Sequence, residues 1–211
     1  ASDFPNDTGK YHIIKCIEKC RTQPGIWAAS GNACVVHLQH ESMKMKCIQE
    51  IRIPDACQVR VLHEDDQGNL WIGTENAIYQ YSISDGNMRR IHKDTGAING
   101  IAISPDKAIY YITETPEFSC LPPDGQVHSI HKGENYSSII ISPDNKIWTA
   151  TLEGNVYSYH PQLQTLARED NACNANGDAV KSMTVDNLGH LWILADQYVK
   201  EYNPKNHSFR I

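Results

Sequence analysis

A unit of about forty residues centred on an aromatic side chain recurs five times along the 211-residue chain, and it limits the fold more than any other feature. The run Asp66-Gln67-Gly68-Asn69-Leu70-Trp71-Ile72-Gly73-Thr74, continuing to Ala77-Ile78-Tyr79-Gln80-Tyr81, has clear relatives at 142–159 and 186–202. Weaker copies lie at 24–30 and 104–113. The anchor positions are Trp27, Trp71, Tyr110, Trp148 and Trp192, at intervals of 44, 39, 38 and 44 residues. A period near forty assembled from short strands is that of a propeller blade. The chain is therefore expected to be all-β: a β-propeller of about five four-stranded blades in a single domain, with blades near 11–50, 57–93, 97–132, 136–170 and 179–211. These five form either a whole ring or part of a larger one.

Alternating or β-branched runs separated by turn residues mark the strands. In the second unit they are expected at about 59–63, 70–74, 78–81 and 88–92, and in the third at 97–103, 109–113, 118–121 and 127–131. The connectors at 65–69 and 84–87 are rich in Asp, Asn and Gly, which tolerate positive φ or bond their own backbone in tight turns. No stretch has helical periodicity with caps over three turns. The anchor aromatics are assigned to packing. Blades stack face to face, and Trp71 with Gly73, or Trp148 with Ala150, puts a large and a small side chain two apart on one strand face. Stacking of exposed tryptophans on sugar rings is the alternative use.

The chain is 40% hydrophobic and 21% charged, with 13 Gly and 10 Pro, a composition suited to a soluble folded protein. Its formal charge of −6 and its scattered Lys and Arg give no basic stripe, so nucleic acid is not an expected partner. No apolar run approaches the roughly 18 residues of a membrane-spanning helix. The longest, 138–142, is strand-sized. The chain begins at Ala1 rather than Met and reads as a processed product or a piece of a longer protein.

The run from Asp66 to Thr74, followed by Ala77-Ile78-Tyr79 and Tyr81, resembles the two-component regulator propeller repeat. The resemblance covers nearly the whole chain and is most specific at 66–81 and 186–202, while Pro24-Gly25-Ile26-Trp27 and Tyr110-Tyr111 depart from the pattern. In that family the periplasmic sensor region of a hybrid two-component system carries two propellers and an immunoglobulin-like domain. A membrane helix, a histidine kinase and response-regulator modules follow. The segment 201–211 is similar to the end of a last blade. The resemblance implies a fragment of the periplasmic part of an inner-membrane sensor, with no kinase motif or membrane helix of its own and no cofactor. Its implied partners are a small polar ligand such as an oligosaccharide, the neighbouring domains of the same sensor, and a second copy in a homodimer.

Seven cysteines, Cys16, Cys20, Cys34, Cys47, Cys57, Cys120 and Cys173, are odd in number, irregular in spacing and without a Cys-x-x-Cys pair, which disfavours zinc and dithiol chemistry. They read as small buried hydrophobes. Free thiols suit an oxidising periplasm poorly, unless Cys47 pairs with Cys57 on adjoining strands or the host is anaerobic. Two histidine pairs, His37 with His40 and His128 with His131, are three apart and so point to opposite strand faces; no metal site is expected from them. Polar residues recur after the Trp strand at Glu75, Asn76, Glu114, Glu153, Asn155 and Asp196, and would project from equivalent loops at one rim. These are the candidate ligand-binding residues, although a repeated turn preference produces the same pattern. The run Asp66-Gln67-Gly68-Asn69 lacks the alternating carboxylates of a calcium loop. No catalytic residue is assigned, because paired carboxylates and an activated nucleophile are not evident. Two alternatives stand beside the sensor: an interaction scaffold, and a lyase resembling the propellers that act on streptogramin antibiotics. In the lyase, Glu153, His160 or His190 would be the acids and bases.

Overall fold

The computed structural model describes residues 14–30, 33–42, 44–55, 58–93, 96–123, 125–173 and 177–211. These form five four-stranded sheets, in each of which every strand is hydrogen-bonded to the next in sequence. The first contains β1 (Ile14–Lys19), β2 (Ile26–Ser30), β3 (Cys34–Glu41) and β4 (Lys44–Arg52). The second contains β5 (Val59–Glu64), β6 (Asn69–Thr74), β7 (Ala77–Ser82) and β8 (Met88–Lys93). The third comprises β9 (Ile98–Ile103), β10 (Ile109–Thr113), β11 (Glu117–Leu121) and β12 (His128–Lys132). The fourth comprises β13 (Tyr136–Ile141), β14 (Ile147–Thr151), β15 (Val156–His160) and β16 (Thr165–Arg168). The last is β17 (Val180–Val185), β18 (Leu191–Ala195), β19 (Val199–Asn203) and β20 (Ser208–Arg210). The fold is the all-β propeller class with five four-stranded blades, as the repeat predicts. Among the described residues no helix is long and apolar enough to cross a membrane.

Two compact units divide the chain, Ala1–Ile98 and Asn99–Ile211. In the first, β1 and β2 lie against β5; in the second, β13 lies against β10 and β17. The first unit's core gathers Trp27, Val35, Leu70, Ile72 and Tyr79. The second unit has one cluster around Tyr110, Phe118 and Ile147 and another around Trp148, Leu191 and Tyr202. Gly73 sits where a side chain has no room: a Cβ there would stand 2.5 Å from Cγ1 of Val61, its partner on β5, and 2.8 Å from Ile98 Cγ2.

One turn recurs four times, between the first and second strands of blades 2 to 5. The N–H of its first residue donates to the carbonyl of its fifth: Asp65 to Asn69 (2.9 Å), Ser104 to Ala108 (3.0 Å), Ser142 to Lys146 (3.0 Å) and Asp186 to His190 (3.0 Å). The fourth residue is left-handed in every copy, at Gly68, Lys107, Asn145 and Gly189. The side chain that opens the turn also receives the anchor indole six residues on. Trp71 Nε1 donates to Asp65 Oδ2 (2.8 Å), Trp148 Nε1 to Ser142 Oγ (3.0 Å) and Trp192 Nε1 to Asp186 Oδ2 (3.2 Å). This gives a buried polar hydrogen its partner without breaking the apolar packing of the ring.

Trp27, Trp71, Tyr110 and Trp148 are buried, as packing residues should be. Trp192 is only half-buried, because its strand face also carries the exposed Leu194 and Val199. Cys20, Cys34, Cys120 and Cys173 are buried, whereas Cys16 is half-buried and Cys47 exposed. Cys57 lies outside the described residues, and with it the expected Cys47–Cys57 pair. His37 is buried against Trp27, and its Nε2 sits 2.9 Å from the Pro24 carbonyl, while His40 is exposed; the two do face opposite ways.

Candidate functional site

Each candidate rim residue sits in a turn between the second and third strands of its blade, and in three blades a threonine ends the strand before it. In blade 2, Thr74 Oγ1 accepts the N–H groups of Asn76 (3.4 Å) and Ala77 (3.1 Å) and donates to the Ala77 carbonyl (3.0 Å). In blade 4, Thr151 Oγ1 accepts from Glu153 N (3.3 Å) and Asn155 N (3.1 Å). In blade 3, the Thr113 hydroxyl meets that of Thr115 at 2.7 Å. A hydroxyl that binds its own turn holds the backbone on which the acidic side chain stands. Thr74, Thr113 and Thr151 recur in the sequence and were the available signal for this device.

Glu75 and Asn76 are half-buried in the first unit, while Glu114, Glu153 and Asp196 are exposed in the second. Asp196 pairs with Lys181 of β17 at 3.1 Å. At blade 4 two candidates, Glu153 and Asn155, each join side-chain hydrogen bonds with residues that the sequence did not single out. Asn135 Nδ2 donates to Glu153 Oε1 (2.7 Å), and Asn155 Nδ2 donates to Glu134 Oε2 (3.1 Å). Tyr157 Oη also donates to Glu134 (2.7 Å), and Arg168 donates to Asn155 Oδ1 from Nη2 (2.9 Å) and Nε (3.2 Å). Arg168 Nη1 reaches Asp170 at 2.6 Å. The Asn135 amide holds the Glu153 carboxyl below its usual range, so it is ionised and an acceptor at neutral pH. The result is a polar shelf with carboxylate, amide and guanidinium groups in fixed relation.

Glu153, His160 and His190 do not form one acid–base site. Glu153 precedes β15 and His160 ends it, and five strand residues span roughly 16 Å. His190 belongs to the recurrent first turn of blade 5, at the opposite end of β18 from Asp196. Its Nδ1 lies 2.8 Å from Glu201 Oε1, in an open groove of about 520 Å³. The sequence pointed to His190 but not to Asp186, Glu201 or Arg210 beside it.

Among solved structures, the chain is similar to the extracellular domain of a putative one component system from B. thetaiotaomicron, at 18% identity and a TM-score of 0.71, over 93% of this chain and 27% of that one. It is similar to the extracellular domain of a putative hybrid two component system from the same organism, at 15% identity and a TM-score of 0.71, over 95% and 28%. It is also similar to a catalytically inactive virginiamycin B lyase from Staphylococcus aureus with quinupristin, at 13% identity and a TM-score of 0.77, over 98% and 70%. At these identities the likeness is one of fold, and the chain spans about a quarter of the two extracellular domains. The propeller shared with these domains agrees with the repeat resemblance. No protein of curated function matches the sequence. Residues 26–210 match the family described as SMP-30/Gluconolactonase/LRE-like region, and the chain belongs to that family.

Proposed function

We propose that this chain is a ligand-sensing module of a periplasmic sensor, binding a glycan-like molecule through its blade rims and passing the signal to a transmembrane histidine kinase. The observation that carries the reading is the polar shelf of blade 4. Sugar hydroxyls donate and accept at once, and the shelf offers acceptors at Glu134 and Glu153 beside donors at Asn155 and Arg168. Asn135 holds Glu153, and Asn155 bridges Glu134 and Arg168, so their positions are set before a ligand arrives, which lowers the entropy cost of binding. The fold shared with extracellular domains of signalling proteins supports the same reading. Binding would shift the population of two domain arrangements in a longer protein, by as much as the ligand's affinity differs between them.

A glycan array followed by calorimetry on the 211-residue chain tests this. Binding of at least one oligosaccharide is expected, weakened about tenfold or more by Asn155→Ala and Glu153→Ala, a loss of roughly 1.4 kcal/mol. Binding that both variants leave intact would place the site elsewhere. Silence across the array would remove the glycan reading.

A further inference from the structure

Three side chains at the last blade offer metal-ligating atoms to one point. Asp186 opens the turn before β18, His190 closes it, and Glu201 lies on β19. Trp192 pairs with Glu201, and residues two apart share a strand face, so His190, Trp192 and Glu201 project to one side. Arg210 pairs with Glu201 and Ser208 with Asn203, which brings β20 to the same face. His190 Nδ1 stands 2.8 Å from Glu201 Oε1 and 3.8 Å from Asp186 Oδ2, and all three ligand atoms lie within 4.8 Å of one another. Ligands about 2.0–2.1 Å from a tetrahedral zinc ion are about 3.3 Å apart, a spacing that these distances bracket.

The other hydrogen-bonding positions of the carboxylates are already filled in the way that orients ligands. Asp186 Oδ1 accepts the N–H groups of Leu188 and His190, each at 2.9 Å, and its Oδ2 accepts the Trp192 indole. Arg210 Nε donates to Glu201 Oε2. Glu201 Oε1 and the second lone pair of Asp186 Oδ2 are left to face His190. Such outer partners fix the geometry of a metal site.

Blade 2 is an internal control for the same scaffold. Its Asp65, Asn69, Trp71, Gln80 and Arg89 occupy the places of Asp186, His190, Trp192, Glu201 and Arg210. Asp65 accepts Asn69 N (2.9 Å) and the Trp71 indole (2.8 Å), and Arg89 Nε donates to Gln80 Oε1 (2.8 Å). The turn, the indole cap and the arginine contact therefore form without any ligand-grade pair. In blade 5 the two amides give way to an imidazole at the end of the turn and a carboxylate on β19, with their atoms brought together.

We propose that Asp186, His190 and Glu201 bind a borderline divalent cation such as zinc, with the remaining coordination positions open to the groove. An imidazole nitrogen with two carboxylate oxygens suits zinc and its first-row neighbours better than calcium. This site is independent of the glycan reading, since it lies on other turns and other residues. The test is calorimetric titration of the 211-residue chain with zinc chloride, alongside His190→Asn and Glu201→Gln, which install the residues of blade 2 and so suit the fold. The parent chain is expected to bind one zinc ion at this site and to melt at a higher temperature with zinc present. Either substitution should weaken that binding at least tenfold and abolish the thermal shift. With cobalt in place of zinc, visible absorption from a low-coordinate site should appear in the parent and fade in both variants. Absence of zinc binding by the parent, or binding and absorption that both variants leave unchanged, overturns the assignment.

Discussion

Glu64 is the last residue of β5, and its side chain is wholly buried. Its Oε1 accepts the Thr22 N–H (2.8 Å) and the Thr22 hydroxyl (2.5 Å), and its Oε2 accepts the Trp27 indole (2.7 Å). Burial pushes the carboxyl up, but these hydrogen bonds outweigh it and hold it below its ordinary 4.5. The first blade's tryptophan thus obtains its polar partner from the second blade, where the tryptophans of blades 2, 4 and 5 use their own turn. Glu64→Gln should cost about 2–4 kcal/mol at pH 7, because buried donors lose charged acceptors. A depressed carboxyl stabilises the fold above pH 4.5 and loses that contribution as pH falls through its folded pKa. The gap between parent and variant in urea denaturation should therefore narrow in acid. A gap that is constant from pH 7 to pH 3 would show that the carboxylate charge is not what holds the two blades.

At the scale of elements, strands and turns were largely legible. The expected strand at 59–63 is β5 at Val59–Glu64, and that at 109–113 is β10 at the same bounds. Two local rules account for this: a period of two residues along each strand, and turn chemistry that acts within five residues. The recurrent indole cap was also present in the sequence, as an Asp or Ser six residues before Trp71, Trp148 and Trp192. What the strand pattern did not reveal was how little room the packing leaves beside Gly73. Gly73→Ala places a methyl group 2.5 Å from Val61 Cγ1, and should destabilise by about 1–3 kcal/mol through overpacking, even though alanine suits a strand at least as well as glycine. A chemical-denaturation midpoint measures it. An unchanged or raised midpoint would mean that the neighbouring side chains yield at no cost.

At the scale of the whole molecule, the thiols serve packing. Burial pushes Cys20 and Cys120 each up to about 11, with the nearby carboxylates adding to the effect at Cys20. As neutral thiols sealed in the cores of different units, they should resist iodoacetamide at pH 8 in the native protein and react promptly in urea, as mass spectrometry at each site would show. Fast labelling of either in the native state would point to a core open to solvent. The buried Lys200 shows the same logic with a charge: its ammonium is paired with the carbonyls of Ala172 (3.2 Å) and Cys173 (2.8 Å), which ties the connector into blade 5.

The sequence by itself determined the repeat, the strand-rich fold class and the turns, because each follows from residues close together in the chain. The tertiary structure decided which polar residues meet. Asn135 reaches Glu153 across 18 positions and Trp27 reaches Glu64 across 37, and the imidazole of His190 meets Glu201 only once β18 and β19 pair in register. It also decided that Trp192, alone among the five anchors, is only half-buried. The same aromatic in the same repeat is core at four anchors and lines a groove at the fifth, and that difference is a property of packing, which a local pattern does not contain.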